Sequence, residues 1–445
     1  MNQNYNDLIE QISNLLFEKI VEEEPNLAEK VNQVDTDLLS LLRAIGLRVM
    51  SMLLSLLVNQ VTSQVKQPGW IIHRRPKIKY TVIFGQLKIE SPYLWNKKNQ
   101  QGIRPVTEKL GIAHGDYSIG VKRILTEFGA EESFEGAAKR FQEHYGFWVE
   151  KNAVRREVEA IANLGQQYIE HRLDSLKQQA DDHKNQTQSL PRLIVELDGC
   201  QIRTGVYGCA QKAELTPKRQ LIQKERTINW REVRVGFARP VDDRQKRTFI
   251  ARMDKYPAVV KQLVGAAINQ GMGKETEVTA IADGGNGLRE ALEVGFPNLK
   301  FILDRIHLKQ HIYQTADALS LTGIHCQIWT SHLLSLIDRG KAKKAIKFVN
   351  RYFHNSPALN KLDNLSQYLQ RFADACHYEL YKIQGLPIGS GEVESAHRYI
   401  PQKRLKIPGA TWHPDSINPM LALRVIRANE WWSDFWTHLI EKKLA

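Results

Sequence analysis

The sequence predicts a mixed α/β protein: a mainly helical N-terminal region with a small β-hairpin, followed by an α/β domain with acidic residues at its strand ends. Three observations predict it. Apolar residues recur at helical spacing through residues 1–66 and again from 118 to about 180, with few Gly or Pro interruptions. Beyond residue 190, short β-branched apolar runs alternate with helical patterns. Two of those runs end in Asp-Gly, at Asp198-Gly199 and Asp283-Gly284, and a later motif adds Glu392 and Glu394.

Composition sets the bounds for each element. A chain of 445 residues is too long for one ordinary core, and usual domain sizes suggest roughly two to four. With 42% hydrophobic and 25% charged residues it reads as a soluble folded protein. Its formal charge is +13, and the excess is uneven: residues 1–37 are acidic and most of the remainder is basic. That balance favours a polyanionic partner, DNA or RNA. The four cysteines, Cys200, Cys209, Cys326 and Cys376, form no CxxC pair, which argues against a disulfide framework or a zinc ribbon. The opening residues lack a signal-peptide pattern, and the greasy stretch 38–61 is interrupted by Arg43 and Arg48. It is read as a buried or dimer-forming helix of a cytoplasmic protein.

Residues 1–66 read as a helical segment serving self-association or plain packing. Residues 67–180 follow, opening with two short strands within 80–93 joined by a turn at Gly85 and preceded by Arg74, Arg75, Lys77 and Lys79. Residues 133–141 then open a helix, Tyr145-Gly146-Phe147 supplies a turn, and 152–158 open another helix carrying Arg155 and Arg156. That is the outline of a helix-turn-helix, whose second helix enters the major groove, although such pairs are also common packing units. The polar run 180–189 reads as a linker.

The α/β domain begins at 191. Strands are expected at 193–197, 233–238, 248–253, 278–282 and 300–303, with helices at 257–269 and 287–294. Three strands, a helix, a strand, a helix and a strand is the order of a ribonuclease H-like catalytic domain. Asp198 is expected to end the first strand and Asp283 the fourth, two neighbouring strand ends in that fold. Phosphodiester cleavage needs an activated oxygen nucleophile and charge relief at the leaving oxygen, and two divalent ions held by carboxylates supply both. Magnesium prefers such hard oxygen ligands. The third carboxylate is sought on a helix capped by Ser390; Glu392 and Glu394 there point to nearly opposite sides, and Glu392 suits a first-turn acid facing the helix dipole. Asp304 and His307 read either as neighbours of the metal site or as a helix N-cap with a structural histidine.

At these residues the chain resembles the DDE transposases of bacterial insertion sequences, most closely those of the ISKra type, which are distantly mutator-like. The resemblance rests on Asp198-Gly199, on Ala282-Asp283-Gly284-Gly285-Asn286-Gly287-Leu288 with Phe296-Pro297, and on Leu303-Asp304-Arg305-Ile306-His307. It continues through 387–396, Arg404, Gly409, Trp412, Leu421-Ala422-Leu423-Arg424 and Trp431-Trp432-Ser433-Asp434-Phe435-Trp436, covering roughly 75–436. In that family's pattern the catalytic Glu directly precedes Ser-Ala, which selects Glu394. The resemblance implies that Asp198, Asp283 and Glu394 bind two Mg2+ or Mn2+ ions for cleavage at transposon ends and strand transfer into target DNA. It also implies a helical insertion at 311–380 between the two parts of the catalytic core, 191–310 and 381–445. Within the insertion, Arg339, Lys341, Lys343, Lys344 and Lys347 form a basic cluster. Lys403, Arg404 and Lys406 are candidates to hold phosphate, and Trp412 to stack on a base or fill the core. The paired cysteines that relatives often carry after the hairpin are missing from 93–99. The expected partners are the element's terminal inverted repeats, target DNA and a second copy of the chain.

Three other readings are open to the sequence: a nuclease or resolvase that cuts without joining, a transposase-derived DNA-binding protein without catalysis, and a two-carboxylate glycosidase. The basic balance and an aromatic fraction of 8% disfavour the last.

Overall fold

The structure, a computed structural model, describes residues 3–23, 26–182, 189–207, 226–352 and 359–444. Cys209 and most of the expected linker, residues 183–188, lie outside the described residues. The chain divides into two compact units, residues 1–128 with 137–151 and residues 129–136 with 152–445.

In the first unit, helices α1 (Gln3–Glu23) and α2 (Leu27–Val65) precede five short strands, β1 (Trp70–Arg74), β2 (Lys77–Val82), β3 (Gly85–Glu90), β4 (Tyr93–Asn96) and β5 (Gln101–Ile103). Helix α3 (Pro105–Leu110) and strand β6 (Asp116–Tyr117) follow. The strands make two three-stranded sheets, ordered β1-β4-β5 and β3-β2-β6. The expected hairpin is β2–β3, paired antiparallel, but its turn is Ile83-Phe84, and Gly85 opens the second strand at φ +145°. Alternation puts Ile78, Leu87 and Ile89 on one face of this hairpin, where they meet Leu54 and Val58 of α2 and Val106 of α3 in one core. Helix and hairpin, expected as separate segments, therefore share a core, because neither buries its apolar face alone.

Helices α4 (Ile119–Glu131), α5 (Phe134–Tyr145) and α6 (Lys151–Asp182) come next. Helix α6 is much longer than a recognition helix and extends into the expected linker. Its buried stripe of Val154, Val158, Ile161, Ile169 and Leu173 belongs to the second unit, where Gly165 lies against Ile426 and Leu423 and Gly265 against Leu173. Packing thus takes up one face of the helix expected to read DNA, and leaves Arg155 and Arg156 on its exposed side.

The second unit is built on a five-stranded sheet ordered β11-β10-β7-β8-β9. Its elements are β7 (Arg192–Tyr207), β8 (Arg226–Pro240), β9 (Thr248–Arg252), α7 (Tyr256–Asn269), β10 (Glu277–Ala282), α8 (Leu288–Gly295) and β11 (Leu299–Leu303). Strands β7, β8 and β9 form an antiparallel meander, while β10 and β11 join β7 in parallel through the crossover helices. Leu193, Ile194 and Val195 are a continuous apolar run because the centre of the sheet is covered on both faces. Helix α7 covers one face, with Leu263 beside Gly236, and the C-terminal helices cover the other.

Beyond β11 the chain is helical: α9 (Arg305–Ala318), α10 (Gly323–Asp338), α11 (Ala342–Asn350), α12 (Leu359–Arg371) and α13 (Tyr378–Ile383). It returns to the sheet through α14 (Gly391–His397), a π-helical stretch Arg398–Gln402, α15 (Lys403–Leu405), α16 (Ile417–Ala428) and α17 (Trp432–Leu444). Pro401 sits inside the π-helical stretch, where its missing N–H is compatible with the widened turn. Trp431, Trp432 and Trp436 are buried core residues.

Leu263 is fully buried between α7 and the sheet. Leu263→Ala is expected to cost about 2–5 kcal/mol in urea unfolding, the usual penalty for a core truncation that leaves a cavity.

Candidate active site

The sheet's register builds the site. Ala282 of β10 stands beside Leu197 of β7 on one side and Leu303 of β11 on the other. One residue further along, Asp198, Asp283 and Asp304 therefore occupy the same level on three adjacent strands. Parallel pairing of β10 stops at this level, but β7 does not, which corrects the expectation that Asp198 ends its strand. Its pairing with β8 continues unbroken from Leu193–Pro240 to Tyr207–Arg226, so Asp198-Gly199 is extended backbone and not a turn. The cross-strand ladder outweighs the local turn preference of Asp-Gly.

Asp304 is fully buried and saturated with hydrogen bonds. Its Oδ1 caps α9, accepting from the N–H groups of Ile306 at 2.5 Å and His307 at 2.9 Å. Oδ2 accepts from the Ser390 N–H at 2.6 Å and from the Ser390 hydroxyl. The Arg305 N–H also donates to the Ile388 carbonyl at 3.0 Å. Ser390, expected to cap its own helix, has turned its side chain to Asp304, and these contacts dock the start of α14 beside the strand ends.

A second carboxyl holds α14 from below. Glu196 shares a β7 face with Asp198, and its Oε2 accepts from the Val393 N–H at 3.0 Å. Its Oε1 is buried without a hydrogen-bond partner. Burial, with the facing charges of Glu392 and Asp304, pushes the Glu196 carboxyl up to about 8 against the pull of the Val393 N–H and Arg239. The sequence reading passed over Glu196, although its two-residue offset from Asp198 places both on one face of a strand.

The two glutamates of α14 have separate roles. Glu392 accepts from Arg239 Nε at 3.0 Å and Nη2 at 2.8 Å and lies 2.8 Å from Arg247, so it compensates a buried arginine and is more than a dipole-facing acid. Glu394 is exposed and stands within electrostatic reach of Asp198. Burial first, then the charges of Asp283 and Glu394, push the Asp198 carboxyl up to about 6, opposed by the Gly199 N–H and by His307. Among the described residues, no three His, Cys, Asp or Glu side chains stand close enough as placed to hold a metal ion together. The donor chemistry nevertheless fits a hard divalent cation: Asp198 lies within reach of the charges of Asp283 and Glu394, which add to burial in raising its carboxyl.

Other side chains line the cluster. His397, three residues after Glu394 and therefore on the same helix side, places Nδ1 3.9 Å from Asp198 Oδ2. Burial holds this imidazole below its ordinary value, and its Nε2 has no partner. The Tyr368 ring crosses Gly284 so closely that a Cβ there would stand 2.3 Å from the ring, which requires glycine after Asp283. A groove of about 1050 Å³ adjoins Asp283 through Tyr256, and its walls mix Arg231, Arg234, Lys255 and Lys261 with Glu232, Asp254 and Glu290.

The other expected contacts fare differently. Lys406 is exposed, and its charge is felt at Cys200 and His397, which places it beside the acids. Lys403 is exposed but ion-paired with Glu131. Arg404, expected to hold phosphate, and Trp412, expected to stack on a base or fill the core, are both buried: the guanidinium lies 4.7 Å from the Phe134 and Trp412 rings and donates to the Gly129 carbonyl at 2.7 Å. The Trp412 indole N–H donates to the Leu405 carbonyl at 3.1 Å. Neither side chain is accessible to phosphate or base, because the stack that shields them completes a core. Arg155 pairs with Glu159 at 2.8 Å and Arg156 with Glu157 at 3.2 Å on α6. Lys341, Lys343, Lys344 and Lys347 are exposed on and next to α11.

A scan against protein-family models found no match, and no curated protein matched the chain.

Two outcomes follow from the carboxyl assignments. Glu392→Ala strands buried Arg239 and is expected to destabilise the fold by about 3–5 kcal/mol in denaturant unfolding, whereas Glu394→Ala changes stability by less than about 1 kcal/mol. Glu196 holds its proton more tightly folded than unfolded, so its contribution is complete below its ordinary value of 4.5 and is lost as pH rises through about 8. In chelator, Glu196→Gln is expected to flatten that decline, gaining on wild type by a few kcal/mol, to order of magnitude, by about pH 8. Parallel unfolding curves across pH check this.

Proposed function

We propose that the chain is a DDE-type transposase that cuts DNA at the ends of a mobile element and joins the freed ends to target DNA. The observation that carries the reading is the single level shared by Asp198 and Asp283, with Glu394 brought within electrostatic reach from a segment more than a hundred residues away. The five-strand order, three antiparallel strands followed by two parallel crossover strands on the opposite edge, supports a ribonuclease H-like catalytic domain with 311–380 as its helical insertion. The engagement of Glu392 by Arg239 and Arg247 supports Glu394 as the third ligand, since it leaves Glu394 as the α14 acid facing Asp198.

Asp198, Asp283 and Glu394 would hold two Mg2+ or Mn2+ ions, which supply activation of an oxygen nucleophile and charge relief at the leaving oxygen. The chain's own residues prepare the site. Asp304 and Glu196 fix α14 against the strand ends, so Glu394 is presented without a loop's freedom. His397, held neutral by burial, borders Asp198 without adding a competing positive charge. Lys406 beside the acids suits a phosphate backbone approaching the carboxylates. The overall charge of +13 favours the same partner. The setting proposed with this activity is the bacterial cytoplasm, on the nucleoid.

Oligonucleotides bearing the element's own ends, incubated with Mg2+ or Mn2+, test the reading. Wild type is expected to cleave and join them, while Asp283→Asn and Glu394→Gln reduce both steps to background and retain end binding. Cleavage without joining would instead favour the nuclease reading; binding without chemistry in wild type would favour the non-catalytic one.

A further inference from the structure

Helix α12, far along the chain from Asp283, is docked on the loop that follows it. The helix buries Leu362, Leu365 and Leu369, and Tyr368, three residues after Leu365, falls on the same side. Two sets of charge-assisted bonds fix its C-terminal end. Arg371 donates to the Asn286 side-chain oxygen at 2.9 Å and to Glu290 at 2.9 Å. Just beyond the helix, Asp374 accepts from both ends of the Arg289 fork, at 2.9 and 2.6 Å. All four bonds reach residues 286–290, directly after Asp283-Gly284-Gly285. A bidentate pair sets orientation as well as distance, so the helix is held in one pose over this loop.

That pose delivers a tyrosine ring to the second acid. The Tyr368 ring is clamped between His311, with centroids 4.6 Å apart, and Phe372, edge-on at 5.1 Å. It covers Gly284, where a Cβ would stand 2.5 Å from the hydroxyl oxygen. The hydroxyl itself is buried without a hydrogen-bond partner, and the Gly284 N–H approaches it outside hydrogen-bond geometry. Burial first, then the charge of Asp283, push this phenol well above the ordinary tyrosine range, so it keeps its proton to donate. Among the described residues, the one hydrogen bond to the Asp283 carboxylate comes from the Gly285 N–H to Oδ1 at 3.1 Å. An unspent buried donor thus stands beside an acceptor with capacity left.

We propose that Tyr368 is a positioning residue for Asp283: its hydroxyl donates to the carboxylate and sets the orientation in which that carboxylate meets a divalent ion. The inference rests on the metal-site reading above and gives the helices of residues 311–380 a part in it, that of steering the second acid. A phenol suits the task, because it orients a ligand without bringing a positive charge to compete with the ion. The rival role is plain cover for Gly284. Cover needs the ring and has no use for the hydroxyl.

Mn2+ titrated into the full chain and followed by electron paramagnetic resonance separates the two roles without DNA or turnover. Tyr368→Phe keeps the ring and removes one oxygen. It is expected to bind Mn2+ about 10-fold more weakly than wild type, the usual scale for losing a partner of a metal ligand. In chelator it is expected to unfold at the wild-type midpoint or above, since the hydroxyl it loses is buried without a partner. Ser366→Ala breaks a bond from the same helix to Asn350, and is expected to leave Mn2+ affinity unchanged. Wild-type affinity in Tyr368→Phe, where Asp283→Asn has lost the ion, would overturn the inference and leave the metal site standing. Equal losses in Tyr368→Phe and Ser366→Ala, or earlier unfolding of Tyr368→Phe in chelator, would overturn it too. A wild type whose Mn2+ binding Asp283→Asn leaves intact would instead bring down the metal-site reading, and this inference with it.

Discussion

The candidate site depends on one buried carboxylate. Asp304 accepts four hydrogen bonds, two from the first turn of α9 and two from Ser390, and so joins the end of β11 to a segment that returns only after five helices. Without it the backbone N–H of Ser390 and the start of α9 would be buried unpaired. The Val393 N–H bond to Glu196 adds a second point of attachment one turn on. Two anchors on successive turns fix the orientation of α14 as well as its position.

Charge then separates the acids by role. Three acids that hold structure are matched by cations: Glu392 by Arg239 and Arg247, Glu131 by Lys403 and Arg424, Asp338 by Arg305 at 2.8 Å; Asp304 and Glu196 are held by N–H and hydroxyl donors instead. Burial first, and then the charges of Asp283 and Glu394, push Asp198 toward protonation, beside a histidine that burial holds below its ordinary value. Such a gathering of like charges suits the positive ligand that the proposed metal site would hold.

Much of this was legible in the sequence where the determinants are local. The runs 278–282 and 300–303 match β10 and β11 to within one residue, because a buried parallel strand is written as consecutive apolar residues. Helix α7 likewise lies one residue from its expected start. What escaped was set by distant pairing. Asp198-Gly199 reads locally as a turn, yet a ladder with β8 running to Tyr207 carries it straight on. Arg404 reads as a residue to hold phosphate and Trp412 as one to stack on a base or fill the core, yet Phe134, far away in sequence, completes the stack that buries both. Glu196 was passed over because its partner, the Val393 N–H, belongs to a helix almost two hundred residues away in sequence. The exposed side of α2 was legible as greasy, but its division into a core face and a free face required knowing where the hairpin packs.

The central claim is that Asp198, Asp283 and Glu394 form one divalent-metal site. Iron-directed backbone cleavage tests it without relying on DNA or turnover: Fe2+ with ascorbate and peroxide generates hydroxyl radicals at a bound ion and cuts the chain nearby. Scission is expected together near residues 198, 283 and 394, suppressed by excess Mg2+ and lost in Asp198→Asn. Cuts confined to other segments, or a pattern that Asp198→Asn leaves intact, would contradict a shared site.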